Sequence, residues 1–317
     1  MPSLTTQLAP GKYLRLVLGL TTGSLLAITL LAIYCLFFQQ LFSYQALYAY
    51  QLEKLSRESG VKTVFVGDSS LGNSINADLF TKLSGKKTIN LALTGRYGYA
   101  GSYNMLKKAV SNGRNTVEHV VVMHTANMMK RPVSYTGYLL TLGGISDILE
   151  LSPDERGELI QAFYNFILSP DNLSAIIRSL LGSLKILHIE NDFIAQVPAA
   201  NPEYKRPAPI EPPPDERKAR FLLKIIEYCN ERGIDLIYTH GPLWRPVAEA
   251  STDYLAALNR QLSTHDMKLM GDVLFIEDTA LGNSEDHVAP SFKDAYTNEY
   301  HRLLAPLLSP VPQRTRP

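Results

Sequence analysis

From Leu16 to Phe38 the chain reads LVLGLTTGSLLAITLLAIYCLFF, 23 residues without a charged side chain. As a helix rising about 1.5 Å per residue, this run is about 34 Å long, enough to cross a hydrocarbon layer of about 30 Å. A secretory signal peptide would have an apolar region of about 7 to 15 residues and a small-residue cleavage site. Cys35-Leu36-Phe37-Phe38-Gln39-Gln40 offers no such site. The run therefore predicts an uncleaved transmembrane helix over 16–38. Lys12 and Arg15 precede it, and no Lys or Arg occurs between Phe38 and Glu53. The charge bias places residues 1–15 in the cytoplasm and everything from Gln39 onward outside, periplasmic or extracellular, on a single pass of the cytoplasmic membrane. Cys35 then lies in the span and Cys229 in another compartment, so the two cannot pair and no disulfide framework exists.

With 317 residues, 45% of them hydrophobic, the chain holds one sizeable α/β domain plus an appendage. A formal net charge of +1 without a Lys/Arg cluster argues against a nucleic-acid partner.

After the span, Leu41, Leu47, Leu52 and Leu55 at helical spacing predict a helical stalk over 39–60. The period then changes. Short apolar runs at Thr63–Val66, Thr88–Leu93, His119–Met123, Asp235–Tyr238 and Val273–Ile276 alternate with helical stretches at Tyr99–Ser111, Asp215–Arg232, Ala248–Ser263 and Asp294–Leu308. That alternation predicts a doubly wound α/β domain around a five-stranded parallel sheet, its first part over 61–131 and its second over 215–309, with a short tail at 310–317. Between them, 132–214 reads as an inserted helical subdomain (Leu159–Leu168, Leu173–Leu187) closed by a Pro-rich linker, Pro198–Pro214. The insertion reads as extra packing on the domain, as a cap over the site, or as a surface for membrane or partner protein. In doubly wound sheets ligands bind beyond the carboxyl ends of the strands, so the residues there carry the site.

Gly67-Asp68-Ser69-Ser70 follows the first strand directly. A Ser on a tight strand-to-helix turn exposes its Oγ to a substrate, and small neighbours permit the turn. Gly67–Ser74, GDSSLGNS, also has the G-x4-G spacing of a P-loop, but Asn73 stands where the phosphate-binding Lys is needed. Leu71 stands where a G-x-S-x-G elbow needs its second Gly. The structural alternative is a plain turn with Asp68 or Ser69 capping the next helix.

The order of four blocks resembles the SGNH (GDSL-like) hydrolase family: Val64–Ser70 with its GDS, Asn90–Gly95, His119–Asn127, and Asp286-His287-Val288 before a closing helix. The resemblance covers 61–308 less the insertion. It implies a flavodoxin-like SGNH fold, Ser69 as nucleophile, His287 as base, and an oxyanion hole from the Ser69 and Gly95 N–H groups and Asn127 Nδ2. Acyl transfer needs that set independently: a nucleophile, a base within reach, and donors aimed at the developing oxyanion. Two positions depart from the family pattern, Thr125 for a Gly and Ser284 for the catalytic acid. Asp278 ranks first for orienting His287, Asp286 second, and Ser284 or a backbone carbonyl third. Asp68, His124 and His240 also fall at strand ends as pocket residues; each His reads more readily as a hydrogen-bonded structural residue. No ligand spacing supports a metal site, and no cofactor is implied.

An outward-facing SGNH-like domain on a single anchor resembles proteins that add, remove or transfer acyl groups on cell-envelope polymers. The implied function is a serine esterase or O-acyltransferase acting through a Ser69 acyl-enzyme, with the membrane, an acylated envelope glycan and other envelope-modification proteins as partners. The alternative is a catalytically weakened SGNH-like subunit of an envelope assembly complex, motivated by Ser284 and the large apolar insertion.

Overall fold

In the computed structural model, which describes residues 10–38, 42–172, 174, 188–190, 192–196, 207–211 and 213–308, the chain divides into two compact units. One contains the described residues of 1–42 and 163–185, the other those of 43–162 and 186–317. The first holds the helix Pro10–Phe38. Its stretch Gly11–Leu31 is long and apolar enough to be a membrane span or a signal sequence. Thr21 and Thr29 turn their hydroxyls back onto the carbonyls of Val17 and Leu25 at 2.8 Å, which satisfies them inside the helix. The expectations for 1–9, 39–41, 173, 175–187, 197–206, 212 and 309–317, most of the predicted second insertion helix and Pro-rich linker among them, lie outside the described residues.

The second unit carries β1 (Thr63–Gly67), β2 (Thr88–Asn90), β3 (His119–His124), β4 (Ile189–Glu190), β5 (Phe193–Ile194), β6 (Asp235–His240), β7 (Leu243–Trp244), β8 (Lys268–Met270) and β9 (Phe275–Ile276). Five of these form a parallel sheet in the order β2-β1-β3-β6-β8. Every residue of β1, β2 and β3 is buried, as expected of strands covered on both faces. Successive side chains alternate between faces. Phe65, Val121, Met123 and Ile237 share one cluster with Ile75 and with Leu71, Phe80, Tyr300 and Leu304 from the helices of that side. Val64, Val66, Val120, Val122 and Leu236, also buried, point the other way, where the helices Gly98–Ser111 and Arg220–Glu231 lie.

The fifth sheet strand differs from expectation. The apolar run ending at Ile276 contributes β9, which pairs only with β7, while the sheet is completed by β8. β8 opens with a charge whose cost is offset locally: Lys268 Nζ reaches Asp235 Oδ2 at 3.1 Å and Leu307 O at 2.8 Å. The predicted Ala248–Ser263 helix is two helices, Arg245–Ala250 and Thr252–Leu262, broken at Ser251. The Ser251 hydroxyl accepts the backbone N–H of Ile210.

The segment expected as a stalk is instead a packed element. In the helix Ser43–Arg57, Leu47, Gln51 and Leu55 recur every four residues and are all buried. Gln51 Nε2 donates to Ala92 O at 3.0 Å and to Asp192 O at 3.1 Å, tying this helix to β2's exit and to the β4–β5 hairpin. Much of 132–214 likewise belongs to the sheet's own unit. Tyr138, fully buried in the helix Tyr135–Leu140, stacks on Phe221 with centroids 5.0 Å apart. Asn104 Nδ2 donates to Tyr138 O and to Thr141 Oγ1. Phe193 of β5 enters the main core against Gly72, where a methyl group would lie 2.2 Å from its ring. The described residues of 163–185 are grouped with the first unit.

Candidate active site

The direction of winding reverses between β1 and β3, the place where a crevice opens at the carboxyl edge of such a sheet. Gly67 and Met123 are register partners there. The strands approach so closely that a Cβ on Gly67 would sit 1.8 Å from Met123 O, so only glycine fits at the end of β1.

Asp68 organises the turn that leaves β1. It caps the helix Ser69–Ser74, accepting from Ser70 N at 3.0 Å and from Ser70 Oγ at 2.6 Å on one oxygen. Its other oxygen accepts from Thr125 N at 3.0 Å and faces His124 Nδ1 at 3.4 Å, an electrostatic contact too poorly aimed to count as a full hydrogen bond. The carboxylate is 1% exposed. Burial pushes its pKa up, but His124 and the Ser70 and Thr125 donors outweigh that and hold it down at about 2. Asp68 therefore joins the turn after β1 to the turn after β3 as a fixed anion. Thr125 contributes through its backbone N–H.

With Asp68 as cap and Ser70 spent on it, Ser69 is left over. It occupies the first helical position, is partly exposed, and its Oγ bonds to no described residue. Its carbonyl accepts from Asn73 Nδ2 at 2.7 Å. The turn after β6 closes over Ser70: Gly241 N donates to His124 O at 2.8 Å, and a Cβ on Gly241 would lie 2.1 Å from Ser70 Oγ.

Leu91 N and Leu93 N donate to Phe65 O and Gly67 O, extending the β2 side of the ladder past its last strand residue. Thr94 and Gly95 are thereby delivered next to the Ser69 turn. The Thr94 hydroxyl is buried without a partner among the described residues. Asn127 lies on the one-turn helix Ala126–Lys130 after β3, partly exposed, with its Oδ1 buried and likewise unpartnered. Unpaired buried polar atoms of this kind are uncommon in folded chains.

His287 lies at the base of a loop closed by the antiparallel bridge between Leu281 and Val288. Its Nδ1 donates to Asn283 Oδ1 at 2.7 Å, and its carbonyl accepts from Gly282 N at 2.7 Å. Neither expected acid occupies Nδ1. Asp278 accepts from Trp244 Nε1 at 2.7 Å. Asp286 takes the Ser284 hydroxyl at 2.6 Å and stands 3.7 Å from His287 Nε2, the other ring nitrogen. Adjacent side chains diverge, which keeps Asp286 from Nδ1. Asn283, four residues back and able to fold over the turn, reaches it.

One residue that sequence reasoning missed connects the two halves. Gln196, just after β5, donates from Nε2 to Asn73 Oδ1 at 2.9 Å and to Val288 O at 2.5 Å, and accepts from Asn283 N at 3.0 Å. The segment bearing Ser69 and the loop bearing His287 are thus held by one amide. His240 stays structural: it is fully buried, with Nε2 against Asn259 Oδ1 at 2.7 Å, and burial lowers its pKa more than that bond raises it. His124 is also fully buried, with Nε2 at 2.9 Å from Ser102 Oγ, and meets the site only through Asp68.

No protein-family model matches the chain, and no curated protein does. Among solved structures it is similar to an acetyl xylan esterase (Est2A) from the rumen bacterium Butyrivibrio proteoclasticus, at 11% identity and a TM-score of 0.30 over 79% of this chain. The chain spans 65% of the length of that protein.

Proposed function

We propose that this chain is a membrane-anchored serine esterase or O-acyltransferase of the SGNH type, acting on acyl groups of cell-envelope polysaccharides or related polymers. The observation that carries the reading is the division of labour at the Ser69 turn. Asp68 and Ser70 satisfy each other and the helix end, so the hydroxyl of Ser69 is spared from structure. Gln196 ties its segment to the loop of a histidine whose Nδ1 proton is already held. The strand order β2-β1-β3-β6-β8 is the flavodoxin-like one expected of the family and supports the reading.

In the first step Ser69 Oγ attacks the acyl carbonyl carbon and His287 Nε2 takes its proton, with Asn283 Oδ1 holding the Nδ1 proton. The N–H groups of Ser69 and Gly95 and the Asn127 side-chain amide receive the oxyanion. The C–O bond to the leaving alcohol then breaks, and the alcohol departs with the proton from Nε2. Water or an acceptor hydroxyl repeats the sequence in reverse, giving hydrolysis or transfer. The membrane anchor and the outside location are inferred from the apolar helix and its flanking charges, and the envelope substrate from the family resemblance together with that topology.

A second reading, a catalytically weakened subunit of an envelope assembly complex, is favoured by one observation: among the described residues no carboxylate stands at His287 Nδ1, which faces Asn283 Oδ1. A fluorophosphonate probe separates the two. The enzyme reading expects covalent labelling of the full chain that is lost in Ser69→Ala; absence of labelling in the unmodified chain leaves the second reading.

A further inference from the structure

Arg131 ends the one-turn helix that carries Asn127, donating its backbone N–H to Met128 O. Its side chain runs back over the Gly95 turn. A Cβ on Gly95 would lie 2.6 Å from Arg131 Nη1, so the guanidinium rests where any larger residue would intrude. Gly95 and Asn127 are the two proposed oxyanion donors outside the Ser69 turn, and Arg131 touches the first and belongs to the segment of the second.

The side chain is partly buried, yet it forms no hydrogen bond or ion pair with a described residue. The neighbouring cations are spent. Lys130 Nζ donates to Glu211 O at 3.0 Å, and the Arg96 guanidinium lies 4.9 Å from the Tyr44 ring centroid. Glu285 is near enough to feel the Arg131 charge, and Asp286 lies next to Glu285. Glu285 feels the charge of Arg131 and Lys130 without pairing with either, and Asp286 is taken by Ser284. A partly buried guanidinium held in no hydrogen bond or ion pair by a described residue keeps its planar fork available, and that fork fits a carboxylate or a phosphate in two parallel hydrogen bonds.

We infer that Arg131 binds an anionic group, a carboxylate or a phosphate, carried by the substrate close to its acylated oxygen. The inference deepens the esterase or acyltransferase reading and rests on it: the acylated polymer is an acidic one.

The test is calorimetric binding to the full chain carrying Ser69→Ala, which prevents turnover, with three probes: O-acetylated glucose, O-acetylated glucuronate and O-acetylated glucose phosphate. The charged probes should bind at least tenfold more tightly than the uncharged one, and whichever of the two binds more tightly identifies the anion. Arg131→Gln should abolish that preference, and Arg131→Lys should restore part of it. Equal binding of all three probes, or a charge preference that survives in Arg131→Gln, overturns the inference. Because binding is read without turnover, this outcome is distinct from a failure of the unmodified chain to take up fluorophosphonate, which would remove the catalytic reading instead.

Discussion

Asn283 Oδ1 holds the Nδ1 proton of His287 at 2.7 Å within a single loop turn, leaving Nε2 as the nitrogen free to accept. An amide in this position fixes the ring and its tautomer but adds no charge to stabilise the imidazolium. Asn283→Ala should therefore lower kcat on a small ester by about 10²-fold, and Asn283→Asp should raise it above the unmodified chain by supplying the missing charge. Unchanged kcat in Asn283→Ala would mean the ring is oriented from elsewhere. Asp278→Asn is the contrast. Its carboxylate serves Trp244, so kcat should change by less than about threefold, within the scatter of ordinary surface substitutions.

Gln196 reaches Asn73, Asn283 and Val288 from a hairpin outside the sheet. Removing all three contacts in Gln196→Ala should cost about 2 kcal/mol, at about 1 kcal/mol or less for each partly exposed hydrogen bond. A loosened loop also shifts His287 relative to Ser69, and small misplacements of a base are expensive, so kcat should fall about tenfold or more. Denaturant unfolding and ester kinetics measured on one preparation check both. A stability loss with unchanged kcat would make the tether purely structural.

Two glycines of the site should differ in their response to a methyl group. Gly67→Ala drives Cβ against the Met123 carbonyl at 1.8 Å, and neither strand can yield without opening the β1–β3 ladder. A loss of about 3 kcal/mol or more is expected, as for overpacking against a fixed backbone. Gly95→Ala meets only the end of the Arg131 side chain, which can swing aside, so its melting temperature should stay close to that of the unmodified chain. Comparable destabilisation of both variants would contradict the tight approach at Gly67.

The parts of this fold that are legible in the sequence are those set by local chemistry. β1, β3 and β6 announce themselves as apolar, β-branched runs, and the Asp68 cap is readable because an Asp precedes a short helix. β8 is hidden because its leading Lys268 is neutralised by Asp235 from a neighbouring strand, a contact no local pattern records. The Ser43–Arg57 helix has a stalk's spacing, but its buried Gln51 belongs to a packed element, and only the carbonyls of Ala92 and Asp192 reveal that. Asn283 carries no family signal, because the pattern puts a carboxylate three residues before the histidine, whereas an amide four residues before His287 holds this ring. Gln196 and Arg131 carry no sequence signal at all. Their roles exist only once distant segments meet.

Acid should weaken the site through Asp68. Burial pushes this carboxyl up, but nearby His124 and the Ser70 and Thr125 donors favour the anion more strongly and lower it from 3.8 to about 2 in the fold. A carboxyl depressed in the native state stabilises the fold fully above its unfolded pKa, near 4, and loses that contribution as pH falls through the native value, near 2. At about 1.4 kcal/mol per pH unit the contribution is about 2.5 kcal/mol. Asp68→Asn keeps an oxygen for Ser70 but turns an N–H toward the Thr125 N–H and His124, so it should lose about that amount at about pH 6. The gap between variant and unmodified chain should then narrow between about pH 4 and about pH 2, as the native carboxylate takes up its proton. Denaturant unfolding at pH values of about 6, 4 and 2.5 measures it. A gap that stays constant across that range would show that Asp68 acts through shape rather than charge, and that the anion joining the β1 and β3 turns is not what holds the Ser69 helix in place.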